Sequence, residues 1–234
     1  AERLALDRHE NPQAPGSALT AGFAATTARG ELRGERWLGR HRLEAGAAWS
    51  REDLDDRLFR AGRRTGSLFG AWDFHPGTGA WEASLRDDAL SDQGAHPTAR
   101  AALSQPLGAG VGLKASHGTG FRPPSLYELY DPGAFGDASV ANPALRPERS
   151  RSSDGGLYLA LGERLYAELL AFRQETRQQI VALPAPASPN LLRFENVNRT
   201  RATGLEATLS LRLAAGFTVD GAWTRQRATI LDHD

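Results

Sequence analysis

Between Gly204 and Leu213 every second residue is apolar. Leu205, Ala207, Leu209, Leu211 and Leu213 alternate with Glu206, Thr208, Ser210 and Arg212. A period of two sends successive side chains to opposite faces of an extended backbone, so the segment predicts a strand with one apolar and one polar face. After the turn Ala214-Ala215-Gly216, Phe217, Val219, Gly221 and Trp223 alternate with Thr218, Asp220, Ala222 and Thr224. Two such strands around a short turn containing glycine are a hairpin. The unit recurs upstream. Residues 67–74 turn at 75–79 into 81–86, and 99–104 turn at Gln105-Pro106-Leu107-Gly108 into 109–116. Residues 157–161 turn at Gly162-Glu163 into 165–171, and Gly39-Arg40-His41 separates Trp37 from a return strand through Leu43, Ala45, Ala47 and Trp49. With a further strand near Leu4 to Arg8, the pattern predicts about 10–11 strands and an all-β fold.

Composition alone points elsewhere. Mean hydropathy is -0.45 and hydrophobic residues make up 40%. No stretch approaches the roughly 18 apolar residues of a membrane helix, which suits a soluble domain. A transmembrane β-barrel passes the same test, because only every second residue meets lipid. The 28 Lys plus Arg residues equal the 28 Asp plus Glu, which argues against nucleic acid as the main partner. The chain has no cysteine, which excludes disulfides, thiolate metal sites and cysteine nucleophiles. It has no methionine, and Ala1-Glu2-Arg3-Leu4 lacks the regions of a signal peptide, so it reads as part of, or a processed form of, a longer product.

Long polar segments at 9–19, 51–65, 87–97, 117–150 and 177–193 alternate with the short turns. They predict an up-and-down meander with short turns at one end and long loops at the other, as in an outer-membrane barrel. One strand face carries Glu44, Asp73, Glu82, Arg86, Arg100, Lys114, Glu168, Glu206, Arg212 and Asp220. Alternation alone does not say whether that face points inward. Two features favour polar-in: an apolar face rich in alanine would fill a core poorly, and Trp37, Trp81 and Phe217 sit where an interfacial aromatic girdle would lie.

The central loop, 117–150, is longer than a plain connection requires. Pro123-Pro124 forces an extended start, and Ser125 with Glu128 three residues later reads as a capping box. Gly118-Thr119-Gly120-Phe121-Arg122-Pro123-Pro124-Ser125-Leu126-Tyr127-Glu128-Leu129-Tyr130 is followed by Asn142-Pro143-Ala144-Leu145-Arg146-Pro147-Glu148-Arg149-Ser150. Further on stands Phe194-Glu195-Asn196-Val197-Asn198-Arg199-Thr200-Arg201-Ala202-Thr203-Gly204-Leu205-Glu206. In order and spacing these three segments resemble the barrel of the TonB-dependent outer-membrane receptors, closest in character to the cobalamin (vitamin B12) transporters among them. Pro123 departs mildly from the alanine more usual there.

The resemblance implies an antiparallel up-and-down transmembrane β-barrel of about 22 strands, of which this chain holds part. It implies an N-terminal plug, binding of a scarce nutrient such as cobalamin or an iron–siderophore, and energy from the TonB–ExbB–ExbD system of the inner membrane. Outer-membrane lipid is the expected surrounding. The whole of 1–234 is expected to be barrel, with the plug, the TonB box and the C-terminal closing strands outside it. Phe121, Arg122, Tyr127, Tyr130, Asn142, Arg149, Glu195, Asn196 and Arg201 are the candidates for facing plug or ligand. Glu44, Glu82, Arg86, Arg100, Lys114, Glu206, Arg212 and Asp220 are expected to line the lumen.

No catalytic set, metal site or cofactor is expected. Gly118-Thr119-Gly120 lacks the third glycine and helix of a dinucleotide loop. The six histidines are scattered. Asp53, Asp55 and Asp56 lack the spacing of a calcium loop and read as a solvated run. Ser125 has no His/Asp partner nearby in sequence and reads as a cap. A plugless porin-like channel is the alternative function. An outer-membrane enzyme and a soluble β-domain with its Leu/Val/Trp face buried are the remaining alternatives.

Overall fold

In the computed structural model, which describes residues 2–9, 19–56, 59–130, 139–186 and 188–231, the alternating segments become one antiparallel sheet. The strands are β1 (Glu2–His9), β2 (Leu19–Leu38), β3 (His41–Asp56), β4 (Arg60–Phe74), β5 (Ala80–Leu90), β6 (Gly94–Gly108) and β7 (Val111–Arg122). After the short helix α1 (Leu126–Tyr130) come β8 (Ser139–Val140), β9 (Glu148–Leu161), β10 (Leu165–Ala185), β11 (Ser188–Arg212) and β12 (Thr218–Ile230). Eleven strands pair with their neighbours in chain order, and β8 adds a two-residue parallel pairing to Leu192 and Arg193 of β11. The chain is an antiparallel up-and-down partial barrel. Among the described residues, β1 and β12 each pair along one edge only.

The register keeps the two faces separate across the sheet. Arg42 lies opposite Asp73, Asp73 opposite Glu82, Ser84 opposite Arg100 and Ser104 opposite Lys114. Tyr158 lies opposite Glu168, Glu168 opposite Thr208 and Ser210 opposite Asp220. Every lumen candidate therefore stands on one face. The other face packs against nothing: Leu32 is 80%, Leu68 68%, Leu85 69% and Trp223 53% exposed. Leaving a row of leucines in water costs on the order of 1.5–3 kcal/mol per side chain, so this face needs an apolar surrounding. On β11 the row from Leu205 to Leu213 runs about 27 Å along the strand, close to what a tilted strand needs to cross a bilayer.

Strand boundaries differ from the sequence reading at the loop end. Segments 51–65, 87–97 and 177–193, expected as loops, are mostly paired strand: Arg51 faces Arg64, Asp88 faces His96 and Val181 faces Glu195. The reason is physical. A ladder in water needs only its backbone hydrogen bonds, whereas apolar alternation appears only where one face meets lipid, so polarity marks where strands leave the band and not where they end. The turn expected at 105–108 lies at Ala109-Gly110 instead. Both residues have positive φ (49° and 79°), and a register shift between Pro106 and Gly108 precedes them. The expected loop 9–19 and the run Asp131-Pro132-Gly133-Ala134-Phe135-Gly136-Asp137 fall mostly or wholly outside the described residues, as do His233 and Asp234.

At the short-turn end His41, Trp72, Phe74 and Trp81 form a contact chain on the apolar face, with His41 and Phe74 stacked at 4.5 Å. Phe217, at the short turn before β12, is exposed as well, as an interfacial girdle requires. Trp37 is the exception: it lies opposite Arg42, on the polar face, and stacks on His75.

Candidate functional site

Residues 123–130 and 139–147 fold over the polar face at the loop end of the sheet and form a lid. Pro124 accepts a hydrogen bond from Arg63 Nη2 at 2.8 Å, although Arg63 belongs to β4, three strands from β7. Arg63 is 6% exposed on its side chain and pairs with Asp92 at 2.7 Å. At the other side Leu129 and Leu145 pack with Ile180, flanked by Tyr130 and Phe194. A segment that reaches from β4 to β10 and β11 along the polar side makes that side the concave one. Leu126 and Leu129, each 1% exposed, anchor it.

The lid starts as its capping box predicts. Ser125 N–H donates to Glu128 Oε2 at 2.7 Å, and Glu128 N–H donates to Ser125 Oγ at 3.1 Å. Arg122 then joins the lid to the sheet. It donates to Glu148 through Nη2 (2.8 Å) and Nε (3.0 Å), and to Glu128 Oε2 through Nη1 (3.0 Å). The hydrogen bond to Glu148 outweighs desolvation and raises the guanidinium pKa. Burial alone would raise the Glu148 carboxyl, but the bonds from Arg122 and from the Ile180 N–H (2.7 Å) leave it below the usual glutamate range.

Two asparagines close the lid. Asn142, 3% exposed, donates to Phe194 O at 2.7 Å and accepts from Arg193 Nη2 at 2.9 Å. Arg193 also pairs with Glu195 at 3.1 Å. Asn196 receives the Arg146 N–H (2.8 Å) and donates to Arg146 O (2.9 Å) and Gln178 O (2.7 Å). Gln178 has φ 56°, and Asn196 holds that kink in place. Arg122, Tyr130, Asn142, Glu195 and Asn196 are thus brought together in or around the lid, and Tyr127 lies on α1.

Phe121, Arg149 and Arg201 are placed differently. Arg149 pairs with Phe121 and with Arg177, while Glu175 pairs with Arg151 and Arg201. These positions share parity with Leu113, Leu157, Leu169 and Leu205, so they continue the apolar face beyond the band. Phe121 stacks on His96 at 4.5 Å. Sequence reasoning grouped all nine candidates by motif; counting parity back from the leucine rows would have separated these three.

Below the lid, the polar face is a lattice. Arg42 reaches Asp73 (2.7 Å), Glu35 (3.3 Å) and Glu44 (3.6 Å), and Arg100 reaches Glu82 (3.3 Å). Arg86 binds Asp88 (2.9 Å), which also accepts from Ser67. Lys114 bonds Glu168 and Tyr166 beneath the Tyr158 ring, and Arg212 pairs with Glu163 at 2.9 Å. Glu206 and Asp220 share the face, form no ion pair among the described residues and stand near the β12 edge. Two of the three candidate calcium carboxylates are taken by arginines: Arg51 binds Asp53 and Arg60 binds Asp55, while the Asp56 side chain lies outside what is described. Ser125 Oγ is engaged in the cap. The arrangement can bind and gate. One serine–histidine contact, His117 Nδ1 to Ser153 Oγ at 2.7 Å, lies on the outward face, away from the lid.

A family model described as TonB dependent receptor-like, beta-barrel, matches residues 8–232. The chain belongs to that family. Among curated relatives of this receptor chain, the vitamin B12 transporter BtuB of Vibrio vulnificus is 34% identical over 128 residues, which is 53% of this chain and 19% of the relative. BtuB of Vibrio cholerae is 38% identical over 77 residues, 33% of this chain and 12% of the relative. The iron-regulated outer membrane virulence protein of Vibrio cholerae is 29% identical over 125 residues, 48% of this chain and 19% of that protein. The siderophore receptor PirA of Pseudomonas aeruginosa superposes with a TM-score of 0.76 at 23% identity, over 89% of this chain and 41% of PirA. The ferric enterobactin receptor PfeA of the same organism gives 0.76 at 22%, over 96% and 40%. The receptor chain therefore spans less than a fifth of the curated relatives' length in these alignments, and about two fifths of the solved ones. The fold likeness matches the partial barrel, and the family is one of receptors and transporters.

Proposed function

We propose that this chain is the barrel portion of an energy-coupled outer-membrane receptor that takes up a large, scarce nutrient of the cobalamin or iron–siderophore class in a Gram-negative bacterium. The observation that carries the reading is the pairing of two continuous faces over eleven strands, one apolar and exposed, one charged and concave with a lid across it. The apolar face meets outer-membrane lipid. The charged face lines a wet lumen, and its two open edges pair with further strands to close the barrel, because unpaired backbone groups in lipid cost several kcal/mol each. Short turns face the periplasm and the lid faces outside.

Arg122, Tyr127, Tyr130, Asn142, Glu195 and Asn196 hold or border the lid and shape the surface offered to ligand or plug. A plug bearing a TonB box, coupled to TonB–ExbB–ExbD, supplies the energy for passage. A lid drawn across the concave side favours a gated receptor over a passive porin-like channel.

A growth test decides between readings. Deleting the full gene should abolish growth on limiting cobalamin or on a ferric chelate while leaving growth on small sugars unchanged. Loss of small-solute permeability, with nutrient growth intact, would support the porin instead. A full reading frame without a plug would remove the gated mechanism.

A further inference from the structure

Beyond the apolar band, eight outward positions of the last four strands are arginine. They are Arg149 and Arg151 on β9, Arg173 and Arg177 on β10, Arg199 and Arg201 on β11, and Arg225 and Arg227 on β12. The register stacks them across the sheet: Ser153–Arg173–Thr203–Arg227, Arg151–Glu175–Arg201, and Arg149–Arg177–Arg199. Eight guanidinium groups share the sector with one carboxylate, and four of them reach it. Glu175, 2% exposed, binds Arg173, Arg199 (2.5 Å) and Arg201 (3.0 Å) and lies 4.0 Å from Arg151. Hydrogen bonding from Arg173 and then Arg199 lowers its pKa to about 2. Arg149, Arg177, Arg225 and Arg227 are exposed and have no carboxylate partner among the described residues. Arg199 Nε is buried without an acceptor.

The same level on β3 to β5 is balanced. Arg51, Arg60 and Arg64 stand with Asp53, Asp55 and Asp87 on the outward side. The excess is thus confined to one sector. It borders a cleft of about 330 Å³ whose walls include Arg149, Arg151, Arg177, His117 and Phe121. Trp223, exposed at the edge of the apolar band, lies two residues below Arg225.

We propose that this arginine sector binds the phosphate groups of outer-leaflet lipid headgroups. The proposal rests on the membrane reading above. A row that faces lipid continues upward into the headgroup layer. Guanidinium forks match phosphate oxygens in pairs, and cations at a membrane surface each gain by neutralising anionic headgroups. Uncompensated, eight arginines sharing one glutamate would repel one another; lipid phosphates supply the missing charge. The aromatic and apolar walls of the cleft beside them suit the glycan or acyl parts of the same lipid.

The test uses the full-length receptor, purified from outer membranes, stripped of lipid and placed in phosphatidylcholine nanodiscs with added bis-phosphorylated lipid A or its dephosphorylated form. Retained lipid is counted by native mass spectrometry. The wild type should retain the phosphorylated form about tenfold or more over the dephosphorylated one. Replacing Arg149, Arg177, Arg225 and Arg227 by glutamine leaves no carboxylate unpaired and should bring retention down to the dephosphorylated level. Lysine at the same four positions should restore most of it, and Arg64→Gln, in the balanced sector, should change nothing. If the fourfold glutamine variant does not assemble, Arg225→Glu with Arg227→Glu on β12 alone should produce a partial loss. Equal retention by wild type and these variants overturns the proposal. Displacement of the lipid by millimolar inorganic phosphate also overturns it, in favour of a free-anion site. Protease protection in whole outer membranes tests the membrane reading separately: a receptor that is protected but shows no phosphate preference loses only the sector's role.

Discussion

The two faces of the sheet hold charge in opposite ways. On the concave face cations and carboxylates interleave, so that Arg42 meets three acids and Lys114 sits on Glu168. On the outward face beyond the band, one sector collects eight arginines, four of them on Glu175, its one carboxylate. Charges that face one another across a confined lumen must be balanced within the chain. Charges that face outward can be balanced by whatever lies against them, so an imbalance there points to a partner. The net charge of zero hides this, because it averages a balanced lattice with an unbalanced sector.

The comparison can be broken at several points. The largest effect is expected in the lid. Leu129→Ala removes a fully buried anchor and should cost about 2–5 kcal/mol of lid stability, read as faster proteolysis within 123–147 while the barrel keeps its heat-modifiable mobility. Next comes the lipid face. Leu169→Arg should destabilise the barrel by about 2–4 kcal/mol in a denaturant titration from vesicles, whereas Thr208→Arg, on the opposite face, should have little effect. Equal costs would mean the faces are assigned wrongly.

A smaller effect belongs to Arg122→Ala, which leaves Glu128 and Glu148 without their shared cation. The pairs are partly exposed, so a loss of about 1–2 kcal/mol is expected, seen in amide exchange at Ile180 and Ser125. The smallest is a pH response. Glu175 has a folded value near 2 against about 4.3 when unfolded, so its contribution is complete above the unfolded value and is lost as pH falls through the folded one. Proteolysis of the β10–β11 hairpin by an acid-active protease should stay unchanged from pH 7 to near 4.5 and rise toward pH 2. Glu175→Gln should flatten that rise.

Much of the fold was legible because its signal is local. Leucine alternation marks each membrane-facing strand, and Gly39, Gly77 and Gly162, all at positive φ, mark turns. The polar ends of β3, β4, β10 and β11 were not legible, since strands surrounded by water carry no face signal. In the site, the Ser125–Glu128 cap was readable from spacing, whereas the Arg63 contact to Pro124 joins residues 61 positions apart and left no trace in either segment.

The sequence by itself determined that strands alternate, that one face is charged and one apolar, and roughly where the chain turns, because each depends on residues a few positions apart. Only the tertiary structure decided which face is concave, where the lid lands, and that arginines from four strands stand in one sector. Those facts depend on register between strands. Register is set by long-range backbone pairing, which brings Arg149, Arg177, Arg199 and Arg227 into one patch although no local pattern links them.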